Sequence, residues 1–489
     1  MVAALNRRNL EQAAIPNTRL CLADYRRCDT PPMKIQPGVV HLGLGGFHRA
    51  HQAMVFDELI AKGDHRWRIC SVGMRSDKLV RQLKSQDHLY LVRVSDTQGS
   101  RWHAPGAIVK TLVAANEPDG VIHQIASPDT RWLTLTVTEK AYTPELANLI
   151  VRGLAHRHAD RFPGLTIASC DNLPQNGRVL RALCVQSAKS PEFDPTLSAW
   201  IETECSFPCS MVDRIVPAPS PEIRLAALED LGLDDPTALG VEAFWEWVIE
   251  DALVDPSDAD ALRSVGVVVT SDVAGFEQAK LWMLNGSHSV LASIGAVLGD
   301  QYIREVIARP VIRDFVHGLM THASGPLVGR PNWQAYRDTL IERFGNTRLD
   351  HACLQVYADS SQKIPVRWVP VAEALVARGE DQARDLGLSH LAMAVAIFAR
   401  SLSGLTENGR RFDFHDPLAA ELQAIARDQA SPDEVIGALL NQPDARLAIF
   451  GKMLGQHAAF VKAASHWLVR IHAEGVQEAV SGFLQENSP

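Results

Sequence analysis

The stretch that decides the fold runs from residue 39 to residue 63 and reads VVHLGLGGFHRAHQAMVFDELIAKG. It opens with a short apolar run of the strand type, Val39 to Leu44, and glycines follow at positions 43, 45 and 46. An amphipathic helical pattern then begins near His51. A buried strand, a tight glycine turn and a helix in this order are typical of a fold in which backbone N–H groups and the helix dipole hold a pyrophosphate.

The turn has only part of the dinucleotide-binding fingerprint. The pattern G-x-G is present, but Phe47 to Ala50 occupies the region of the third glycine, so an ordinary tight turn is the alternative interpretation. Three polar residues crowd the same turn and either assist a phosphate, line a cleft or lie at the surface: His48, Arg49 and His51. We expect the dinucleotide to contact four positions, namely Gly43, Gly45, Gly46 and Phe47.

The second strand candidate, WRICSVGM (67–74), ends near the residue expected to bind the adenosine ribose. An acid usually follows this strand and accepts a hydrogen bond from the ribose. The candidate is Asp77, about 34 residues after Gly43, which is later than the usual spacing. Arg75 lies beside it and would instead meet a 2′-phosphate. The pattern favours NAD over NADP as the cofactor.

Working outward, further short β-rich runs alternate with helical patterns, notably the helix PELANLIVRGLAHRHA. Alternation of this kind predicts a parallel sheet covered on both faces. From residue 277 onward almost every segment has helical periodicity. We therefore predict an α/β protein with a Rossmann-type domain at 1–275 and a mostly α-helical domain at 276–489, with a ligand cleft at their junction. The strand candidates are AIVKTLVAA (107–115), RWLTLTVT (131–138), LTIASCDN (165–172), SMVDRIVP (210–217) and SVGVVVTSDV (264–273).

Composition and charge exclude several classes of protein. The 489 residues carry a net charge of −9, which argues against a nucleic-acid binder. We find no apolar run near the ~18–20 residues of a membrane span, and the N-terminus lacks a signal-peptide pattern before the polar lead-in that ends at DTPPMKIQPG. Eight scattered cysteines without a C-x-x-C pair indicate reduced thiols. We expect a cytoplasmic monomer or small homo-oligomer acting on a small molecule.

A second decisive stretch is KLWMLNGSH, residues 280–288, inside an otherwise apolar helical segment. At about 100° per residue, Glu277, Lys280, Asn285 and His288 fall within an arc of roughly 140°. A one-sided set of these residue types indicates a reaction site. The alternative for Lys280 is a solvated helix residue.

These four residues fit the removal of a hydride and a proton from an alcohol. Burial would lower the pKa of the Lys280 amine toward neutrality and make it a usable general base. The Asn285 amide would stabilise the developing oxyanion. His288 would orient the substrate, and Glu277, one turn earlier, would relay the proton to solvent.

Polar residues also follow two strand candidates. Asp171 and Asn172 end the run 165–172, where an α/β fold places its chemistry, and we take Asn172 as a site residue. Asn176 with Gly177 is interpreted as a turn, and a helix-cap cluster is the alternative for the whole group. Asp213 and Arg214 interrupt an apolar strand and are either a structural ion pair or site residues.

The ordered segments together resemble the mannitol dehydrogenase family, the polyol-specific long-chain dehydrogenases. The resemblance covers roughly residues 35 to 470, and the motif K-x4-N-x2-H with its NGSH core is its most specific part. It implies a Rossmann-type domain, a helical C-terminal domain, NAD and no catalytic metal. The segments that carry it are GLGGFHRAHQA, LTVTEKAYT, SCDNLPQNG, SFPCSMVDRIVP, FEQAKLWMLNGSH and DSSQKIP.

The resemblance also implies roles for individual residues. Lys280 matches the general base, and Asn172 and Asn285 match the pair that polarises the substrate oxygen. His288 matches a substrate-orienting residue, and Glu277 the carboxylate of a proton channel. Two further matches are Asp213, as an active-site acid, and Lys363, as a substrate-contacting lysine.

Two departures from the family pattern bear on the substrate and the cofactor. Gln355 stands where mannitol dehydrogenases carry an arginine, and QKIPVRW adds Arg367, a pattern closer to the hexuronate reductases. Arginine binds a carboxylate bidentately, so we predict Arg367 as a clamp for a uronate, with a surface arginine as the alternative. Fructuronate/mannonate is therefore preferred over mannitol/fructose. The region after Gly73 is also shorter than expected, which bears on the ribose contact.

Overall fold

The computed structural model describes residues 3–12, 20–21, 36–378, 386–429 and 431–487. The chain divides into two compact units, residues 1–273 and residues 274–489. Most of the polar lead-in before residue 36 lies outside the described residues, as does part of the N-terminal stretch in which the sequence predicts no signal peptide.

The first unit alternates strands and helices. Its described strands are β1 (Ala3–Ala4), β2 (Leu20–Cys21), β3 (Val39–Leu42), β4 (Ile69–Gly73), β5 (Val92–Ser95), β6 (Ser100–His103), β7 (Ile108–Val113), β8 (Trp132–Leu135), β9 (Thr166–Ser169), β10 (Ser210–Asp213), β11 (Leu233–Asp234), β12 (Leu239–Glu242), β13 (Glu246–Glu250) and β14 (Val268–Thr270). Its described α-helices are α1 (Arg7–Gln12), α2 (Gly46–Ala50), α3 (Gln52–Ala61), α4 (Lys78–Ser85), α5 (Pro118–Ala126), α6 (Pro144–Ala159), α7 (Asn176–Ser187), α8 (Leu197–Glu204), α9 (Pro221–Leu231) and α10 (Ser257–Ser264).

The main sheet of this unit is parallel and has the order β7-β4-β3-β8-β9. Alternate residues of β3 pack into separate apolar layers, because Val39 joins one core cluster while Val40 and Leu42 join the other. The sheet is therefore buried on both faces, as predicted. The chain leaves β3 toward β4 on one side and later returns to β8 on the other. The carboxyl ends of β3 and β8 thus form a topological switch point, where open α/β sheets bind ligands.

The described strands also form three smaller sheets, with the orders β12-β5-β6-β2, β10-β13-β14 and β1-β11. The sequence predicted β10 and β14 but placed them in one series with the parallel strands. In the structure β10 runs antiparallel to β13, which was not predicted at all. The run EWVIE is buried at its three central positions, so it lacks the alternation that marks a half-buried strand.

The second unit is helical. Its described α-helices are α11 (Ala274–Gln278), α12 (Gly286–Leu298), α13 (Ile303–Ile307), α14 (Pro310–Leu319), α15 (Trp333–Phe344), α16 (Cys353–Tyr357), α17 (Ser360–Arg367), α18 (Val369–Ala377), α19 (Leu386–Ser401), α20 (Ala419–Asp428), α21 (Pro432–Leu440), α22 (Ala458–Glu474) and α23 (Val476–Glu486). Two π-helical segments, Ala279–Asn285 and Met320–Ser324, continue α11 and α14. The segment QYIREVIARPVIRDFVHGLM (301–320) has helical periodicity, but the structure divides it into α13 and α14 before Pro310, because a proline lacks the N–H group that a helix interior needs.

The continuous helical segment 274–298 is 25 residues long and apolar enough, by length and composition, to cross a membrane. This contradicts the expectation from the sequence that no apolar run approaches the length of a membrane span. Within the protein, 78% of the most apolar window is buried. This is the pattern of a core helix, and α12 packs against α13, α16, α17 and α19 of the same unit.

Candidate active site

The glycine turn requires glycine at its first position. Gly43 has a φ of +108°, and a Cβ atom there would lie 2.1 Å from the carbonyl oxygen of Thr136, just after β8. The N–H groups of Gly43 and Leu44 both donate to the Val72 carbonyl, which draws the chain tightly across the ends of the strands. Gly46 then begins α2, and Phe47 stacks on His51 with a ring distance of 5.1 Å. This close approach of backbone segments at the switch point fits a dinucleotide.

The three polar residues beside the turn neither lie at the surface nor line a cleft. His48 and His51 are fully buried, and Arg49 is 3% exposed. Arg49 donates to the Thr237 carbonyl at 2.6 Å and lies over the Tyr90 ring. His51 donates to the Glu246 carbonyl at 3.0 Å. All three residues pack and bond within the unit, which overturns both the surface interpretation and the cleft interpretation.

The two ribose candidates differ in their surroundings. Arg75 is exposed just beyond β4, and Asp77 is half-buried at the start of α4. Asp77 forms an ion pair with Arg81 at 2.9 Å, one helical turn later. A ribose hydroxyl would therefore share this carboxylate with Arg81. The assignment of Asp77 to the ribose stays a prediction.

The polar cluster after β9 divides into a structural part and an exposed part. Asp171 is buried and accepts hydrogen bonds from the N–H groups of Val137 and Thr138 and from the Tyr142 hydroxyl. Burial raises the pKa of Asp171, and these donors oppose the rise. Asn172, in contrast, is exposed. The side chains of the cluster thus hold the ends of β8 and β9, while Asn172 remains accessible.

Asn176 does more than form a turn. It is fully buried as the first residue of α7, and its amide group donates to the Asp171 carbonyl at 3.0 Å and to the Ser210 carbonyl at 2.8 Å. The turn itself lies one residue earlier, where Gln175 has a φ of +51°. Asn176 therefore connects the end of β9 to the start of β10.

Asp213 and Arg214 lie at the end of β10 and are both buried. Arg214 donates from Nε and Nη2 to the Glu242 carbonyl and from Nη1 to the Ala50 carbonyl. Burial lowers the pKa of Arg214 to about 10. Arg214 therefore has a structural role, since three of its nitrogens bind backbone carbonyls. The role of Asp213 as an active-site acid stays a prediction.

The K-x4-N-x2-H motif lies on a π-helix for most of its length. Lys280 and Asn285 belong to the π segment and are half-buried, Glu277 is half-buried in α11, and His288 lies in α12. The predicted arc assumed an α-helix throughout, so its angles do not hold between residues 279 and 285. A π-helix closes its hydrogen bonds between residues i and i+5. It therefore brings positions five apart, such as 280 and 285, closer to one face than an α-helix does.

His288 lies in an enclosed and positively charged environment. It is 6% exposed, and its ring contacts Phe344 at 4.7 Å and His351 at 4.9 Å. Among the described residues, none forms a hydrogen bond with His288 Nε2. Burial lowers the pKa of His288 well below its usual value, and nearby cationic or basic groups lower it further, namely His351, Arg367, Arg343 and Lys363. The ring is therefore neutral and has a buried nitrogen available for a ligand.

The residues of α17 flank the motif helix. Arg367 Nη1 donates to the Asn285 carbonyl at 3.1 Å and to the Ser289 hydroxyl at 2.8 Å, so Arg367 is not a simple surface arginine. Lys363 Nζ donates to the Val356 carbonyl at 2.8 Å and also bonds to the Ala358 carbonyl. Burial lowers the pKa of Lys363 to about 8, and Arg367 adds to this effect. Gln355 is exposed on α16.

Sequence reasoning missed three neighbours of His288, namely Arg343, Phe344 and His351. They follow the motif by 55 or more positions and belong to a helix and a loop without a recognisable motif. Spacing alone therefore gives no signal for them. Of the predicted residues, the second unit contains Glu277, Lys280, Asn285, His288, Gln355, Lys363 and Arg367, whereas Asn172, Asp213 and the cofactor candidates belong to the first.

Comparison with known proteins identifies the family. Residues 37–259 match the mannitol dehydrogenase Rossmann domain, and residues 272–472 match the mannitol dehydrogenase C-terminal domain. The chain belongs to the mannitol dehydrogenase family. It is 34% identical over 481 residues to D-mannonate oxidoreductase of Escherichia coli (strain K12), with 92% of this chain and 96% of that protein covered.

Mannitol 2-dehydrogenases are similarly related to the chain. It is 32% identical over 519 residues to mannitol 2-dehydrogenase of Aspergillus fumigatus (strain CBS 144.89 / FGSC A1163 / CEA10), covering 98% of this chain and 99% of that one. The solved ternary complex of Pseudomonas fluorescens mannitol 2-dehydrogenase with NAD and D-mannitol superposes with a TM-score of 0.82 at 30% identity. That match covers 99% of this chain and all of the other.

These relationships confirm several predictions made from the sequence. The family, the Rossmann-type N-terminal domain and the mostly helical C-terminal domain are as predicted. The prediction of an oxidoreductase with NAD as its cofactor is confirmed at the level of the family.

Proposed function

We propose that the protein interconverts a secondary alcohol and a ketone on an open-chain sugar acid, with D-fructuronate and D-mannonate as the preferred pair. The observation that supports a sugar acid is the positively charged environment of His288, in which Arg367 and Lys363 lie beside the motif helix. The similarity to a D-mannonate oxidoreductase supports the same choice.

The first unit offers the residues that would hold NAD. The turn at Gly43, Gly45 and Gly46 would receive the pyrophosphate, and Phe47 lies directly beside it. Asp77 would accept from the ribose, whereas Arg75 would favour a 2′-phosphate and thus NADP. When bound, the nicotinamide accepts or supplies the hydride.

The second unit supplies the proton transfer. In the oxidative direction the neutral amine of Lys280 takes the proton of the substrate hydroxyl, and in the reductive direction the protonated amine returns it to the carbonyl oxygen. Glu277, three residues earlier on the same helix, exchanges that proton with solvent. Positioned general acid–base catalysis of this kind contributes about 10²–10⁴-fold to a rate.

The remaining motif residues hold the substrate. The Asn285 amide donates to the oxygen that gains negative charge, and the proposal gives Asn172 the second amide at that oxygen. His288 Nε2 bonds to a further substrate hydroxyl. A buried nitrogen without a partner is costly, so binding a hydroxyl there restores a missing hydrogen bond. Asp213 is assigned to the substrate by the family resemblance.

The substrate carboxylate would be recognised beside α17. Arg367 is the proposed clamp, because its bonds to Asn285 and Ser289 hold the guanidinium next to the predicted oxyanion-binding residue. A guanidinium forms strong, paired hydrogen bonds with a carboxylate. Lys363 contributes a second positive charge below its pKa of about 8. Gln355 lies on the neighbouring helix and is assigned a weaker contact with the substrate chain.

A second candidate substrate is a neutral polyol. The relationship to mannitol 2-dehydrogenases supports mannitol/fructose, or arabinitol, as the alternative. An NAD-binding sensor without turnover is the alternative of another class, but such a protein has no use for a lysine, an amide and a neutral histidine on one helix. The six cysteines whose side chains are described are free, which agrees with the cytoplasmic location that forms part of this proposal.

The test is to offer the purified protein a panel of ketoses and keto-uronates and to measure the oxidation of NADH by its absorbance. We expect purified protein to oxidise NADH with D-fructuronate at a kcat/KM at least about tenfold above that with D-fructose, the factor that one additional charge-assisted hydrogen bond supplies. A preference for fructose would overturn the sugar-acid assignment and support the polyol alternative. Binding of NADH without turnover on any ketose or keto-uronate would instead support the sensor.

A further inference from the structure

A row of polar residues crosses the main sheet of the first unit near the carboxyl ends of its strands. In register across β7, β4, β3 and β8 lie Thr111, Ser71, His41 and Thr134. All four are at most 2% exposed in a sheet that apolar layers cover on both faces. Polar groups at such a depth are costly unless hydrogen bonds satisfy them. The course of those bonds therefore shows what the row does.

The bonds around His41 form a chain that ends on the glycine turn. His41 Nδ1 lies 2.8 Å from the Thr134 hydroxyl, and His41 Nε2 lies 2.8 Å from the hydroxyl of Thr136. The Thr136 hydroxyl donates in turn to the Gly43 carbonyl at 3.0 Å. Burial lowers the pKa of His41 to about 3, so the ring is neutral and carries one N–H group.

The direction of every bond in this chain follows from the number of protons. A threonine hydroxyl has a single proton, and that of Thr136 is given to Gly43. His41 must therefore donate from Nε2 to Thr136, and its Nδ1 must accept from Thr134. The result is a one-way relay from Thr134 through His41 and Thr136 to the first glycine of the turn.

The relay fixes one peptide group from both ends. The carbonyl of Gly43 and the N–H of Leu44 belong to the same planar peptide group. Its oxygen accepts from Thr136, and its N–H donates to Val72 at 3.0 Å. Neighbours on both sides of β3 thus determine the orientation of this group, and through it the direction of the next N–H groups at Gly45 and Gly46.

A second histidine fixes the other flank of the turn. His48, in the short helix α2, stacks on the His41 ring with a centroid distance of 3.4 Å and an angle of 10°. Its Nε2 lies 2.8 Å from the Ser71 hydroxyl, in the same polar row. The strand before the turn and the helix after it are therefore joined through two stacked rings.

We propose that His41 is a positioning residue for the dinucleotide: through Thr136 it sets the orientation of the Gly43–Leu44 peptide group and so aims the N–H groups of the turn at the pyrophosphate. This inference rests on the proposed function, because it needs a dinucleotide at the turn. A histidine with only a packing role in the core would not need a chain of hydrogen bonds that ends on the Gly43 carbonyl in the turn. Small errors in the placement of such groups weaken binding strongly.

The experiment measures NADH affinity directly, by fluorescence titration without substrate. Thr136→Val removes the last hydroxyl of the relay at nearly constant volume, and we expect the Kd for NADH to rise about tenfold, the effect of one lost hydrogen bond. Thr136→Ser restores the hydroxyl and should return the Kd to within about twofold of the unmodified protein. The KM for NADH should rise in parallel, while kcat at saturating NADH changes less than about threefold.

The matched control is Thr111→Val, which removes a hydroxyl from the same polar row. Thr111 is buried, whereas Thr136 is half-buried, and the Thr111 hydroxyl lies 3.2 Å from His88 Nε2, away from the turn. Its substitution should leave the Kd for NADH within about twofold. His41→Phe is a second probe, and Thr136→Val keeps the inference testable if His41→Phe does not fold.

Each outcome decides the matter. A tenfold effect at Thr136 that serine reverses, with no effect at Thr111, supports the inference. Equal effects of Thr136→Val and Thr111→Val, or an unchanged Kd in Thr136→Val, would overturn it. If the unmodified protein itself failed to bind NADH, both the proposed function and this inference would be overturned. That result is seen in the titration of the unmodified protein, so it is distinguished from a result in the variants.

Discussion

The glycine turn of the first unit and the π segment of the second carry similar residues but use them in opposite ways. Beside the turn, Arg49 and His51 are buried and bond to backbone carbonyls of their own unit. On the motif helix, His288 is buried as well, yet among the described residues none bonds to its Nε2. Lys280 and Asn285 are only half-buried.

The difference shows that a cluster of polar residues next to a motif is a poor guide to chemistry. The partners of the residues at the turn come from far along the chain, such as Thr237 for Arg49. A missing bond does not by itself separate the two regions, because Arg49 Nε beside the turn is also buried without a hydrogen-bond partner among the described residues. The regions differ in how the side chains are held. Arg49 is fixed through Nη1 to a backbone carbonyl, which fits a scaffold that presents its backbone, whereas the ring of His288 is held by aromatic contacts.

The largest expected effect concerns Lys280. Replacing Lys280 by Ala removes the proposed general acid–base, and we expect kcat with D-fructuronate to fall about 10²–10⁴-fold. The Kd for NADH, from fluorescence titration, should stay within about twofold. The matched control is Lys452→Ala, which removes an exposed lysine. Near-normal turnover in Lys280→Ala would contradict the role of Lys280 as general acid–base, and with it the view that the second unit carries the reactive groups.

The next effect concerns the substrate carboxylate. We expect Arg367→Ala to raise the KM for D-fructuronate about 10–100-fold, the range of a lost charge-assisted hydrogen bond, and the KM for D-fructose by no more than about threefold. Arg367→Lys keeps the charge but loses the planar fork, so its effect should be intermediate. Because Arg367 also bonds to Asn285, thermal unfolding of each variant is measured in parallel. Equal losses on the two substrates would assign Arg367 to structure alone.

A smaller effect tests the scaffold role of the turn. Arg49→Met leaves the Thr237 carbonyl without its donor and should lower the free energy of unfolding by about 1–3 kcal/mol, as measured by denaturant titration. The Kd for NADH should change less than about twofold. Arg75→Met, at an exposed position, should shift the free energy of unfolding by less than about 0.5 kcal/mol. A large loss of NADH affinity at unchanged stability would mean that Arg49 binds phosphate after all.

The smallest effect concerns pH. Burial lowers the pKa of Lys363 to about 8, so its amine is charged below that pH and loses its charge as the pH rises through it. The KM for D-fructuronate, divided by the KM for D-fructose at the same pH, should therefore rise a few-fold between pH 7 and pH 9. Using the ratio removes effects of pH that are common to both substrates. In Lys363→Arg the ratio should stay flat, and a rise there would attribute the titration to another group.

The sequence predicted the main features of both units. The glycine turn after β3, the parallel sheet and the helix α6 at Pro144–Ala159 follow from hydrophobic periodicity and turn chemistry, which act over short distances. The motif at residues 280–288 was found because its polar residues stand out in an apolar helix. These features need only neighbours in the sequence.

The features that were missed depend on distant partners or on unusual backbone geometry. No local pattern shows that Arg214 bonds to Glu242 and Ala50, or that His351 meets His288. The strand β13 was missed because its buried centre has no alternation. The π segment was missed because the helical periodicity used to recognise it assumes about 3.6 residues per turn.

The π segment also makes its winding, and not only its residues, part of the site. Suppose that residues 279–285 wound as an ordinary α-helix, with every side chain of the motif still present. Because a π turn holds about one residue more than an α turn, everything from His288 onward would then turn by about 100° around the helix axis and slide by about 1.5 Å relative to Lys280. A more regular helix would separate the amine from the imidazole without the loss of either one.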